Sequence, residues 1–199
     1  MNKIINILKR KKFLPLDEFI NISLYDNKYG YYMKKNPFGK KGDFITAPNI
    51  TRLFSEIIAI WVITFWKSIG SPKKFNLLEL GAGNGEMMKV IIETLKNFEE
   101  CFNACKFIIH EKSEFLKKEQ KKNLNFKNIS WIQDIKKINS YPTIFLANEF
   151  FDAIPIKQFL KKKEGWVERF VDIKSLKEVE FKEEKIKKIE KLLVKYDKI

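Results

Sequence analysis

Two acids at the ends of apolar runs, a glycine-rich turn and one polar–aromatic segment are the residues here whose types and spacing could do chemistry. Glu79 lies at the end of the apolar run FNLLEL, residues 75–80, and is followed by Gly81, Gly83 and Gly85. Glycines so spaced let the backbone turn tightly and approach a ligand with no Cβ in the way. A helix N-terminus just after the turn offers N–H groups to an acidic or polar ligand. Glu111 closes a second apolar run, KFIIHE, residues 106–111. In a βαβ unit that places a carboxylate at the carboxyl end of the neighbouring strand, where it can accept two hydrogen bonds from ribose hydroxyls. Asn148, Glu149 and Asp152 fall in NEFFDAIP, residues 148–155, directly after the run TIFLAN. A dinucleotide fingerprint would need G-x-G-x-x-G after the strand. The pattern is instead E-L-G-A-G-N-G, with Glu86 at the third glycine position, so nicotinamide or flavin binding is disfavoured.

The elements that must position these residues follow from periodicity. Residues 75–80, 106–111, 128–134 and 143–148 read as four strands of a parallel sheet, each short, apolar and bounded by turn signals. Asp134 stands at the end of the third. Between the first two, Met88, Ile91, Ile92, Leu95 and Phe98 recur at helical spacing, and residues 99–104 read as a connection. Ser113 caps a polar helix through about Asn123. Upstream, Pro15 opens a helix over 15–24 with Phe19, Ile20 and Leu24 on its apolar side. Residues 25–50, crowded with Gly, Pro, Asn and rings, read as a long ordered loop. Asn49 or Thr46 caps the next helix, which ends at Gly70. Its positions Leu53, Phe54, Ile57, Ile58, Trp61 and Phe65 keep to one face and predict a largely buried helix. Residues 156–163 and 166–173 suit a hairpin about Gly165. From Ser175 onward the spacing of Ile186, Ile189, Leu192 and Leu193 predicts an exposed terminal helix. Residues 1–12 read as a basic lead-in. The segments divide at 1–70, 71–155 and 156–199.

Composition bounds the rest. The chain has 199 residues, 45% of them hydrophobic, enough for a proper core. No apolar run approaches the length of a membrane span, and no signal peptide is read at the basic N-terminus. Cys101, Cys105 and the single histidine, His110, are too few for a structural zinc site; reduced thiols and no metal are expected. The formal net charge of +14 is almost all lysine, spread along the chain rather than clustered on one face with aromatics. That disfavours a nucleic-acid partner.

The E-L-G-A-G-N-G turn resembles motif I of the class I S-adenosylmethionine-dependent methyltransferases. Three blocks together, YDNKYGYYMKKNPFGKKGDFITAP (25–48), LLELGAGNGEMM (77–88) and LANEFFDAIPIKQF (146–159), resemble the MidA family, the group containing the mitochondrial complex I assembly factor. The resemblance implies an α/β fold: a Rossmann-like class I methyltransferase sheet of parallel strands with flanking helices, preceded by an N-terminal helical and loop extension. Family members run well beyond the segment matched here, so the sheet is expected to be incomplete at its C-terminal side. It implies S-adenosyl-L-methionine as cofactor, held by Glu79, Gly81, Ala82, Gly83 and Gly85, with Glu111 on its ribose and Asp134 near its adenine. Asn148, Glu149 and Asp152 would line the substrate side, with Glu149 holding a guanidinium. Gly42, Asp43, Phe44, Thr46 and Pro48 would close over the site. The implied activity is protein arginine N-methylation supporting complex I assembly, with a protein substrate that is a complex I subunit, in the bacterial cytoplasm or alternatively the mitochondrial matrix. Two readings compete. One is methylation of a nucleic acid or small molecule, against which the N-P-P-F/Y signature is missing after the fourth strand. The other is a non-catalytic cofactor- or partner-binding assembly module.

Overall fold

The computed structural model describes residues 13–39, 42–173 and 179–185. In chain order the elements are β1 (Phe13–Pro15), α1 (Leu16–Tyr25), a 3-10 turn (Tyr31–Met33), α2 (Ala47–Ile50), α3 (Arg52–Ser68), β2 (Phe75–Leu80), α4 (Glu86–Leu95), α5 (Glu99–Ala104), β3 (Cys105–His110), α6 (Glu114–Asn123), β4 (Ile129–Ile132), β5 (Thr143–Leu146), β6 (Phe159–Lys162), β7 (Gly165–Ile173) and β8 (Val179–Lys185). Short 3-10 turns also cover Ile135–Lys137 and Phe151–Ala153. Tyr32–Asp152 forms one compact unit, and the described residues on either side of it form a second.

The larger unit is built on a four-stranded parallel sheet in the order β4-β3-β2-β5. β2 is central, pairing Leu78 with Ile108 on one side and with Phe145 on the other. All six of its residues are buried, as an apolar run covered on both faces requires. One face carries Leu77 into a core with Phe75, Phe107, Ile109, Met88 and Ile91. The other carries Leu78 and Leu80 against Ile108, Ile132 and Phe150. Each such fully buried side chain contributes about 1.5–3 kcal/mol. β2, β3 and β4 run outward in one direction and β5 lies on the opposite side of β2. The carboxyl ends of β2 and β5 therefore flank the point where the strand order reverses, the usual ligand crevice of such sheets.

The four strands, the helix after the glycine turn and the Ser113 cap all form where the sequence places them; Ser113 Oγ accepts from the Leu116 N–H at 3.2 Å. Other expectations need correction. Residues 99–104 form a helix rather than a plain connection, and Phe98, half-exposed, precedes it instead of extending the α4 stripe. α3 is capped by Thr51, whose hydroxyl accepts from Leu53 N; Thr46 begins the short α2 instead. The buried face of α3 is Ser55, Ala59, Val62, Ile63 and Trp66. Of the residues expected to be buried, Phe54 and Ile58 pack at the core margin, while Leu53 and Ile57 are 58% exposed and Trp61 and Phe65 are also exposed. α3 is apolar on both sides, and the side with small residues is the one that can approach α4 closely.

The smaller unit is an antiparallel sheet in which β7 pairs with β1, β6 and β8. The expected hairpin is β6 and β7. Phe13–Pro15, of which Pro15 is the expected helix opening, pairs with Phe170–Asp172 as a strand, so α1 begins at Leu16. Residues 179–185, expected in a terminal helix, form β8: the alternation Val-Glu-Phe-Lys has the strand period and pairs with β7. The rest of that expected helix, and residues 1–12, lie outside the described residues. Leu14, Leu16 and Val171 are buried together, with Phe19, Ile20 and Ile22 packed on them.

Candidate functional site

The site lies at the carboxyl end of β2 in the larger unit. The glycine turn folds as its sequence demands: Gly81, Gly83 and Gly85 have φ of +65°, +55° and +84°. The Gly81 N–H donates to the His110 carbonyl and the Gly85 N–H to the Ala82 carbonyl, at 3.0 and 2.7 Å. Space is as restrictive as torsion. A Cβ on Gly81 would stand 2.7 Å from the Phe150 ring, and one on Gly83 would stand 3.2 Å from the Phe38 ring.

A cavity of about 40 Å³ opens over this turn. β2, α4 and the glycine turn between them contribute Glu79, Gly81, Ala82, Gly83, Asn84 and Met87; the segment after β5 contributes Asn148 and Glu149; the N-terminal loop with its short α2 contributes Phe38, Thr46, Pro48 and Asn49. The loop is pinned from several sides. Asn84 Nδ2 donates to Asn49 Oδ1 at 2.9 Å, Ser113 Oγ donates to the Tyr32 carbonyl at 2.7 Å, and Phe38 stacks on Tyr32 at 6.1 Å between ring centres.

Glu79 is the electrostatic centre of the site. It is buried, and its Oε2 has no hydrogen-bond partner among the described residues. Burial pushes its carboxyl up to about 8, the neighbouring Glu111 adds to the rise, and a bond from the Met88 N–H opposes it. An acid left so in a glycine-walled cavity is suited to a cationic or hydrogen-donating ligand group. Glu111 is also buried, but both of its oxygens already accept bonds, Oε1 from Ser113 N at 2.8 Å and Oε2 from Gln120 Nε2 at 2.9 Å. Glu149 holds a left-handed backbone, φ +48°, which non-glycine residues adopt uncommonly; Ser71, in the turn before β2, is the other among the described residues.

The structure thus brings together Glu79, Gly81, Ala82, Gly83, Asn148, Glu149, Thr46 and Pro48 around one cavity. Gly85 stands just behind, as the residue preceding α4, with its Cα facing Leu124. Glu111 adjoins the turn through Gln120. The remaining sequence-derived candidates do not line the cavity. Asp134 is exposed and caps the 135–137 turn by accepting from the Lys136 N–H. Asp152 is exposed in the 151–153 turn; its charge adds to burial in raising the Tyr32 phenol. Gly42 makes the tight return at Phe38 and Phe44, where a Cβ would meet the Pro37 carbonyl at 2.2 Å. Asp43 pairs with Lys35 at the surface, and Phe44 is largely exposed. Sequence reasoning missed Phe38, Asn49, Asn84 and Met87. Only Asn84, inside the glycine run, carried a signal.

Among the described residues no three His, Cys, Asp or Glu side chains gather as a metal site. Cys101 and Cys105 are buried and free of disulfide; burial raises both thiols, that of Cys101 to about 11.

Comparison with known proteins places the chain in a family. The model of a family described as S-adenosyl-L-methionine-dependent methyltransferases matches residues 57–198. The chain is 31% identical to the mitochondrial protein arginine methyltransferase NDUFAF7 of Xenopus tropicalis, over 87% of its own length and 46% of the relative's. It is 31% identical to the human NDUFAF7 protein, over 80% and 42%. The chain therefore spans less than half the length of the curated relatives it matches. Its fold matches a Burkholderia thailandensis protein crystallised with S-adenosyl-homocysteine, with a TM-score of 0.75 and 22% identity over 96% of this chain and 51% of that one. With its family-model match covering most of the sequence, its parallel sheet and its glycine turn, this chain belongs to the S-adenosyl-L-methionine-dependent methyltransferase family that includes the NDUFAF7 proteins.

Proposed function

We propose that this chain binds S-adenosyl-L-methionine over the glycine turn and serves methyl transfer to an arginine of a protein substrate. The observation that carries the reading is Glu79: a buried carboxyl group with an oxygen unpartnered among the described residues, in a glycine-walled cavity that Asn148 and Glu149 also reach. The residues fit the cofactor in kind. Glu79 suits its cationic methionine end, the positive-φ glycines allow close backbone approach, and Glu111 can take ribose hydroxyls on its remaining lone pairs. Asp134 is the candidate acid toward the adenine. When bound, the cofactor supplies an electrophilic methyl group on a sulfonium. The protein's part is to hold the acceptor in line with that bond, which carries much of the rate of such a step.

Glu149 is the residue we assign to the acceptor. A carboxylate grips a guanidinium through two parallel hydrogen bonds, and a strained backbone at the cavity rim fixes where it points. Asn148, beside it, supplies a further polar contact. Asp152 lies outside the cavity, and its assistance would act through the Tyr32 side of the loop. The names of the relatives support arginine as the acceptor, and the family resemblance supports a respiratory complex I subunit as the protein that bears it.

Calorimetric titration with S-adenosyl-homocysteine, followed by labelled methyl transfer to an arginine-containing substrate protein, tests the reading. Saturable binding is expected, and Gly83→Val abolishes it, because valine is strained at φ +55° and collides with Phe38. Glu149→Gln should leave that binding within about twofold and lower transfer by at least ~100-fold. Binding without transfer to any protein would instead favour a cofactor-binding assembly module.

A further inference from the structure

Gln120, on α6, is completely buried and is used on all sides. Its amide nitrogen donates to the Gly83 carbonyl at 2.9 Å and to Glu111 Oε2 at 2.9 Å. Its amide oxygen accepts from the Trp131 indole N–H at 2.9 Å. Two acceptors on one side and a donor on the other fix the orientation of the amide. Three segments far apart in sequence therefore meet on one side chain: the glycine turn after β2, the acid after β3 and the strand β4. A buried network this fully satisfied is rigid, and removing its centre orphans every partner at once.

We infer that Gln120 is a positioning residue of the cofactor cradle, holding the Glu111 carboxylate and the Gly83 peptide in one mutual arrangement. The inference rests on the cofactor reading above. Gln120 touches neither cofactor nor substrate in this role; it acts through Glu111 and Gly83. Glutamate in its place would set a third carboxylate beside Glu111 and Glu79. An aliphatic side chain would leave the Glu111 oxygen, the Gly83 carbonyl and the indole N–H without partners.

The arrangement has a signature that packing alone would not give. Burial raises the Glu111 carboxyl, and bonds from the Ser113 N–H, the Gln120 amide and the Lys112 N–H oppose that rise. The carboxylates facing it are Glu79 on β2 and Glu114 on α6. Loss of the amide moves Glu111 further up, so ribose binding weakens toward lower pH and recovers as pH rises. The test is titration of the wild-type chain, Gln120→Met and Trp131→Phe with S-adenosyl-homocysteine between pH 6 and 9, with thermal unfolding alongside. Gln120→Met should bind more weakly than the wild type at the low end of this range and recover as pH rises, with its midpoint displaced upward from that of the wild type. Trp131→Phe, which removes one bond and keeps the packing, should shift the profile the same way by less. A folded Gln120→Met with unchanged affinity, or with weakened affinity and an unmoved pH profile, overturns the inference. If Gln120→Met does not fold, Trp131→Phe decides, and a wild-type profile there overturns it. A wild-type chain that fails to bind overturns the cofactor reading and this inference with it; wild-type binding with an unaffected variant overturns this inference alone.

Discussion

Glu79 shows what a single residue contributes to this fold and at what cost. In the unfolded chain its carboxyl ionises near 4.5; in the folded chain it keeps its proton until about 8. Between those values the unfolded state binds fewer protons than the native state. Stability therefore falls as pH rises through that window, and the penalty is absent below it. Glu111, also raised, acts in the same sense. Replacing Glu79 by Gln should leave the melting temperature almost unchanged near pH 4 and raise it at pH 8, by ~2–4 °C for each kcal/mol recovered at this chain length. Differential scanning calorimetry at the two pH values checks this; equal gains at both would mean that the acid is not the source. The same residue predicts proton release. A cationic ligand group beside Oε2 favours the ionised form. Titration with S-adenosyl-homocysteine at pH 7 in buffers of different ionisation heat should show release approaching one proton, lost in Glu79→Gln. The sequence made the position of this acid legible, since an apolar run ending in Glu before glycines has few other meanings. It could not show that one oxygen is unpartnered, because that depends on what β3 and α6 bring near it.

At the scale of elements the test case is α3. Ile63 and Ile57 are the same residue on the same helix, one 4% and the other 58% exposed. Ile63→Ala should cost about 2–5 kcal/mol, whereas Ile57→Ala should lie within about 0.5 kcal/mol of wild type. Urea denaturation of both variants measures the difference, and a larger cost at Ile57 than at Ile63 would put the buried face where the sequence put it. The sequence pointed to the wrong face for a physical reason. Periodicity finds an apolar stripe, but α3 has two. The choice between them is made by closeness of approach to α4, which favours Ser55 and Ala59 over the bulkier stripe. The parallel strands were legible because burial on both faces leaves continuous apolar runs with few alternatives. β8 was not read, since its charged residues obscure a two-residue alternation that is satisfied only by pairing with β7. β1, three residues long, carries too little pattern to be seen at all. The loop residues Phe38 and Asn49 were equally illegible as parts of the site, because their positions come from contacts with the distant Gly83 and Asn84.

For the whole molecule, the division into two compact units makes stability uneven. The larger unit buries Phe75, Leu77, Phe107, Ile109 and more than a dozen further apolar side chains, and every residue of the proposed cradle belongs to it. Among the described residues, the smaller unit has Leu14, Leu16 and Val171 as its buried apolar cluster. At about 1.5–3 kcal/mol for each buried side chain, the β7 ladder has far less to lose on opening than β2 and β3. Amide hydrogen exchange should then show two classes. Amides of Leu77, Leu78 and Ile108 should exchange at the rate of the larger unit's global opening, and those of Phe170 and Val171 at least ~100-fold faster, as an opening free energy lower by about 3 kcal/mol or more requires. Ligand linkage sharpens the test. A ligand that binds only the native state stabilises it by about 2.7 kcal/mol at a hundred times its dissociation constant. Saturating S-adenosyl-homocysteine should therefore slow exchange in β2 and β3 by about that amount and leave β7 unmoved. Uniform protection across both sheets, with or without ligand, would mean instead that the chain opens as one cooperative body, and the cofactor cradle would then owe its stability to β7 as much as to β2.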